Sequence, residues 1–128
     1  MKAKTALVLV LHAFVIWLGC GLTLAIGRGT LGLAATLQLH AIFAPALAVL
    51  VSLVYFTKFG ATSPLVTATF FVSFIVIMDA MLVALIFEKS YAMFASVLGT
   101  WFPFLLIFLA TYATGLWVSR TPYRRAAR

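Results

Sequence analysis

Four long apolar runs leave this chain little choice of fold. They cover approximately Thr5–Ile26, Leu33–Phe56, Pro64–Phe87 and Tyr91–Val118. A helix needs about 20 apolar residues to cross a hydrocarbon core roughly 30 Å thick, and each run is long enough. Composition points the same way. Hydrophobic residues make up 66% of the 128 and charged residues 9%, where soluble domains average roughly 45–50% and about 25%. A soluble fold of this size leaves a large share of its surface exposed and cannot hide so many apolar side chains. The sequence predicts an all-α, integral membrane four-helix bundle, with residues 1–128 as one domain.

Each break between runs carries turn chemistry: Gly27-Arg28-Gly29, then Thr57-Lys58-Phe59-Gly60, then Glu88-Lys89-Ser90. The connections are short, so successive helices are expected antiparallel. Ser63 is placed to cap helix 3, with Pro64 at its first position. The fourth run is the longest and is expected to begin as an interfacial turn around Tyr91–Phe94. Run 1 follows Lys2 and Lys4 and resembles a signal peptide, but its apolar core exceeds the ~7–15 residues of such a signal. It is read as an uncleaved span. A lipoprotein reading of Trp17-Leu18-Gly19-Cys20 fails because the chain stays apolar after the cysteine.

The net charge is +7, and the Lys and Arg residues behind it lie at the ends and in the connections, never inside a run. That distribution describes topology determinants and contacts with anionic lipid, not a nucleic-acid face. Lys2, Lys4, Lys58, Arg120, Arg124, Arg125 and Arg128 fall on one side, and Arg28 and Lys89 on the other. Both termini are therefore expected in the cytoplasm. Tyr55, Trp117 and Tyr123 would mark the inner interface and Tyr91 the outer one. The predicted partners are the bilayer and anionic headgroups at Arg120, Arg124, Arg125 and Arg128, with a homo-oligomer or a larger membrane complex as a further expectation. Protein docking is the other use of that basic tail. Cys20, the single cysteine, excludes an intrachain disulfide.

The chain has two acidic residues, and one, Asp79, sits inside run 3. Counting at about 1.5 Å per residue puts it roughly 12 Å below the outer end. His40, Cys20 and Thr100 come to a similar level, so these four residues form the candidate intramembrane polar site. A second candidate polar site lies nearer the inner end, at His12, Thr111 and Tyr112. An ionised Asp near the bilayer centre costs about 2.5–3.5 kcal/mol on insertion scales, so the carboxyl must stay neutral or find a partner. No Lys or Arg lies at its depth. His40 is one expected partner. The Ala41 and Gly99 carbonyls, freed by Pro45 and Pro103, are others. Intramembrane acids are functional-site candidates by default; a hydrogen bond that fixes helix packing is the competing explanation.

Small and hydroxyl residues recur at helical spacing. His12, Ile16, Gly19, Thr23 and Gly27 share one face, as do His40, Ala44, Ala48 and Ser52. Ser96, Thr100, Pro103, Ile107, Thr111 and Thr114 share another. Such stripes let membrane helices approach closely, and Gly19, Thr23, Gly27, Ala44, Ala48 and Thr114 are the expected packing residues. A substrate path along the same stripes is the alternative use. The stripe through Asp79 (Ala68, Val72, Ile75, Val83, Ile86) is otherwise apolar, so no continuous polar path through helix 3 is expected.

Other chemistries find little footing. His12 and His40 differ by roughly 11 Å in depth, too far for one haem within one chain; a symmetric dimer pairing two copies of His40 escapes that objection. Gly27-Arg28-Gly29-Thr30-Leu31-Gly32 matches a dinucleotide fingerprint in letters alone, because it follows a membrane helix and not a strand. No Ser-His-Asp arrangement, paired carboxylates or metal-ligand cluster is visible. The reading is non-enzymatic, with no cofactor and no metal.

Two segments resemble a family of small four-span bacterial membrane proteins of unknown function. They are Tyr55-Phe56-Thr57-Lys58-Phe59-Gly60-Ala61-Thr62-Ser63-Pro64-Leu65, continuing to Met78-Asp79, and Leu98-Gly99-Thr100-Trp101-Phe102-Pro103-Phe104. The resemblance implies four-span topology and a bacterial cell membrane, and the expected localisation is the inner membrane. It implies no activity. Small multidrug transporters are also four-helix chains of this length, but their essential acid lies in the first helix, where this chain has none. The expected function is a multi-pass membrane protein with an accessory or interaction role. The alternative is a small oligomeric proton-coupled transporter using the Asp79 carboxyl, with His40 tuning it.

Overall fold

The computed structural model describes residues 2–120. Arg124, Arg125 and Arg128, expected at lipid headgroups, lie outside the described residues, as does Tyr123. Among these residues four helices are long and apolar enough to cross a membrane. They are α1 (Ala3–Thr30), α2 (Leu33–Lys58), α3 (Pro64–Met78, continued by a π-wound segment, Asp79–Phe87) and α4 (Phe102–Ser119, entered through a π-wound turn, Val97–Trp101). A 3₁₀ turn, Ala92–Ala95, lies between the last two. It sits where the interfacial turn was expected. No strand occurs among the described residues.

The turns explain the boundaries. Gly27-Arg28-Gly29 reads as a break but stays helical. Gly27 is buried against α2, where an added Cβ would lie 2.6 Å from the Thr36 side chain. The chain reverses instead at Leu31-Gly32, where Gly32 takes φ +83°, a conformation open to glycine. Gly60, at φ +57°, closes α2 by donating to the Tyr55 carbonyl at 2.8 Å. Ser63 caps α3 as expected, accepting from the Val66 N–H at 3.3 Å, with Pro64 in the first turn. A hydroxyl chain then locks the α2–α3 connection: Tyr55 Oη meets Thr62 Oγ1 at 2.7 Å, and Thr62 Oγ1 meets Thr67 Oγ1 at 2.7 Å.

The helices alternate in direction. Arg28 of α1 meets Glu88 beyond α3, and Gly27 meets Thr36 at the start of α2, so one end of the bundle holds these residues. At the opposite end Gly115 of α4 meets Phe56 of α2 and Pro64 of α3. Around the bundle α1 neighbours α2 and α3, while α4 neighbours α2 and α3. The consecutive helices α2 and α3 are thus diagonal to each other.

The two halves pack differently. Toward Lys58 the interior is closed by Leu9, Ala13, Ala44, Ala48, Tyr55, Ala68 and Phe71, all fully buried. Small residues set the helix spacing there, as the stripes predict. A buried bond from Ser52 to Thr111, 3.1 Å, joins α2 to α4. Toward Arg28 the end of the third helix stands away from the others, with sparse backbone approach to them. Its winding changes at Asp79. Buried positions step from Ile75 to Ala84, and Ile86, expected on the inner stripe, is exposed. The wider winding shifts the face by about one residue. Below Asp79 the α-helical spacing holds, and beyond it that spacing fails.

The glycine contacts make a stability prediction. In Gly115→Ala the new Cβ would lie 2.7 Å from Pro64 Cβ, which cannot swing aside. A loss of about 1–3 kcal/mol is expected. Gly29→Ala meets nothing within 4 Å and should be neutral or slightly stabilising. Reversible unfolding in mixed micelles measures both, and equal effects at the two positions would contradict this packing.

Candidate functional site

A cavity of about 500 Å³ fills the gap that the π-wound segment leaves at the Arg28 end. All four helices reach it. From α1 come Trp17, Cys20, Gly21 and Arg28; from α2, His40; from the third helix, Asp79 and Val83; from the fourth, Thr100, Pro103 and Phe104. Its wall is mostly apolar. Asp79, His40, Thr100 and Cys20, expected at one depth, therefore line one space. The cavity ends near Ile75 and Ile107, where the packed half begins.

Each polar group has a distinct situation. Asp79 is half-buried and accepts a hydrogen bond from Trp17 Nε1 at 2.9 Å. Its partner is thus an indole on α1, not His40 or a proline-freed carbonyl. Thr100, 3% exposed, donates to the Met93 carbonyl at 2.5 Å, which folds the 3₁₀ turn back over α4. Trp101 Nε1 adds a second such bond, to the Phe94 carbonyl at 2.6 Å. Cys20 is a buried free thiol. His40 is buried, and neither of its ring nitrogens has a hydrogen-bond partner among the described residues.

Two ties bracket the opening between α1 and the third helix. The lower is Trp17 to Asp79. The upper is an exposed ion pair, Arg28 to Glu88, at 2.8 Å. They lie ~16 Å apart along α1. Between them Gly21 faces open space, since a Cβ there would touch nothing within 4 Å. The flanking Leu18 and Leu22 are exposed to the surroundings yet also border the cavity. The opening is therefore lateral, a window between two helices.

The second expected polar site does not assemble. His12 Nδ1 pairs with the Val8 carbonyl at 2.7 Å, and its ring packs edge-on against Tyr55 and Phe59. Thr111 bonds Ser52, and Tyr112 stacks on Phe108. No hydrogen bond or ring contact joins His12 to Thr111 or Tyr112. Of the expected packing residues, Gly27, Ala44, Ala48 and Thr114 are buried. Gly19 lies against Leu47 and Phe43. Thr23 is half-buried and returns its hydroxyl to the Gly19 carbonyl at 2.8 Å.

Trp17 is the site residue that sequence reasoning missed. A signal for it exists. An indole N–H in an apolar run is a donor that needs an acceptor, and Trp17 lies near the depth of Asp79. A search for cationic partners passes over it. No cluster of three or more His, Cys, Asp or Glu residues suited to a metal occurs among the described residues. Comparison with protein families, with curated proteins and with solved structures finds no match. The site's own geometry must carry any functional reading.

Two polar residues of the cavity wall predict opposite stability effects. Trp17→Phe leaves the Asp79 carboxyl without its donor and should destabilise by about 1–3 kcal/mol. His40→Leu removes two unpaired polar atoms and should be neutral or stabilising. Unfolding of the two variants in the same micelles checks this, and a large loss for His40→Leu would show a structural partner for that ring.

Proposed function

We propose that the chain is a multi-pass integral membrane protein that holds a small molecule in a cavity opening at the outer half of the bilayer. Both termini lie in the cytoplasm, and the role is non-enzymatic. The cavity carries this reading: it is large, mostly apolar and has a few inward polar groups, the usual make-up of a ligand pocket. Exposed Leu, Ile, Val and Phe along all four helices support a lipid surround. The distribution of Lys and Arg supports the orientation. The resemblance to small bacterial four-span proteins favours the bacterial inner membrane. An accessory role follows if the bound molecule is delivered to, or sensed for, a larger complex.

The second reading is a proton-coupled carrier. Asp79 favours it, because an acid sits where the winding of a membrane helix changes, and π-wound turns concentrate at functional sites. Against passage stands the closed half beyond Ile75 and Ile107. The space is blind in this conformation, so binding is the reading we favour.

The test of binding is native mass spectrometry of protein released from mild detergent. The wild type should carry an adduct of small-molecule mass. Gly21→Phe should lose it, because the ring enters the open space beside α1 without a backbone clash. Wild-type protein that is bare under every mild condition would defeat the reading. Asp79→Asn in proteoliposomes separates the carrier: an abolished flux with intact insertion would favour transport over holding. Labelling of Lys58→Cys and Lys89→Cys, each in a Cys20→Ser background, checks orientation. The first should react from the cytoplasmic side and the second from the outside.

A further inference from the structure

The unpartnered His40 says what kind of molecule suits the cavity. A neutral imidazole carries one N–H donor and one bare acceptor nitrogen, and neither has a partner among the described residues. The ring is 5% exposed and forms part of the cavity wall. Its terminal torsion is broad, so turning the ring can bring a nitrogen to the space. Buried polar groups in membrane helices normally find partners on neighbouring helices. Ser52, on the same face of α2, finds Thr111. Whichever nitrogen faces the space, a hydroxyl can meet it, accepting from the N–H or donating to the bare nitrogen, and it is the simplest group able to do either.

The other polar groups narrow the choice. The half-buried Asp79 carboxyl opposes an anionic head in so apolar a space. Thr100 has spent its proton on Met93 and offers only acceptor lone pairs, which also favours a ligand that donates. The rest of the wall is apolar, and the opening between Trp17–Asp79 and Arg28–Glu88 faces sideways. A molecule entering there comes from the hydrocarbon region and can leave an apolar tail trailing between Leu18 and Leu22 of α1, both exposed.

We propose that the cavity binds a neutral, single-tailed amphiphile with a hydroxyl head, a long-chain alcohol or phenol. It enters laterally between α1 and the π-wound segment and places its hydroxyl against His40. This rests on the holding function proposed above and names the ligand class of the same site.

The test uses the full chain in lipid nanodiscs with Trp101→Phe and Trp117→Phe, so that Trp17 reports from the cavity wall. Four probes share one tail: dodecanol, methoxydodecane, dodecylamine and dodecane. Empty nanodiscs correct for partitioning into lipid. Dodecanol is expected to bind about tenfold more tightly than methoxydodecane, which accepts but cannot donate. His40→Phe should abolish that preference while tail binding persists, and Gly21→Phe should abolish binding of all four. Tighter binding of dodecylamine than of dodecanol, lost in Asp79→Asn, would overturn the hydroxyl class and leave the holding function standing. So would equal binding of alcohol, ether and alkane. No saturable binding of any probe would remove the ligand class, and if native mass spectrometry also shows bare protein, the holding function falls with it.

Discussion

Close backbone approach at small residues is the constraint on which this bundle depends. The exposed helix faces are Leu, Ile, Val and Phe. In the lipid surround proposed for this chain, burying such faces gains nothing, because tails are as apolar as the side chains. Helices then associate where backbones can come near and where polar groups pair. Ala13, Ala44, Ala48 and Ala68 are fully buried, and Gly27 and Gly115 leave no room for a Cβ. These positions draw α2 against α1 and α4, and the start of α3 against the end of α4. Beyond Asp79 the third helix is mostly Met, Leu, Val, Ile and Phe, with Ala80 and Ala84 as its small residues. It has little to seat against its neighbours. The cavity follows from where the small residues are, not from a separate device.

Asp79 stands at the border between these two regimes. A carboxyl in so apolar a helix must be satisfied or neutral, and Trp17 supplies the bond. That bond holds the third helix to α1 just where tight packing ends. Beyond it the winding widens, Ile86 turns outward and the chain leaves the helix through Lys89 at φ +53°. The exposed Arg28–Glu88 pair is a weak second tie, since exposed ion pairs contribute roughly 0–1 kcal/mol. One strong and one weak fastening therefore flank the window.

Much of this was legible in residue order. Run lengths place the four helices, because a chain this apolar has no other way to satisfy its backbone. Ser63-Pro64 marks the start of α3, and helical spacing picks out the buried faces of α2 and α4. Depth counting brings Asp79, His40, Thr100 and Cys20 to one level. What spacing could not supply is winding. A period of 3.6 predicts Ile86 inside, and the π-wound segment puts Ala84 there instead. Nor could it supply rotation. His12 and Thr111 are level by count, yet each turns to its own neighbour. The diagonal placement of α2 and α3 also escapes the sequence, since a short connection restricts direction more than order around the bundle.

His40 and Ser52 make the sharpest comparison within the molecule. They lie on one face of α2, separated by Ala44 and Ala48, and both are buried. Ser52 sits in the packed half and has Thr111. His40 sits beside the cavity and has nothing. An apolar residue at position 40 would keep the packing and remove the cost of two unpaired nitrogens, on the order of 1–3 kcal/mol for one such group. Stability therefore offers no reason for a histidine there. Helix packing does not either, because Ala44 and Ala48 already set the approach of α2 to its neighbours. What remains is the space His40 borders, and a molecule that enters it able to meet the nitrogen turned toward it.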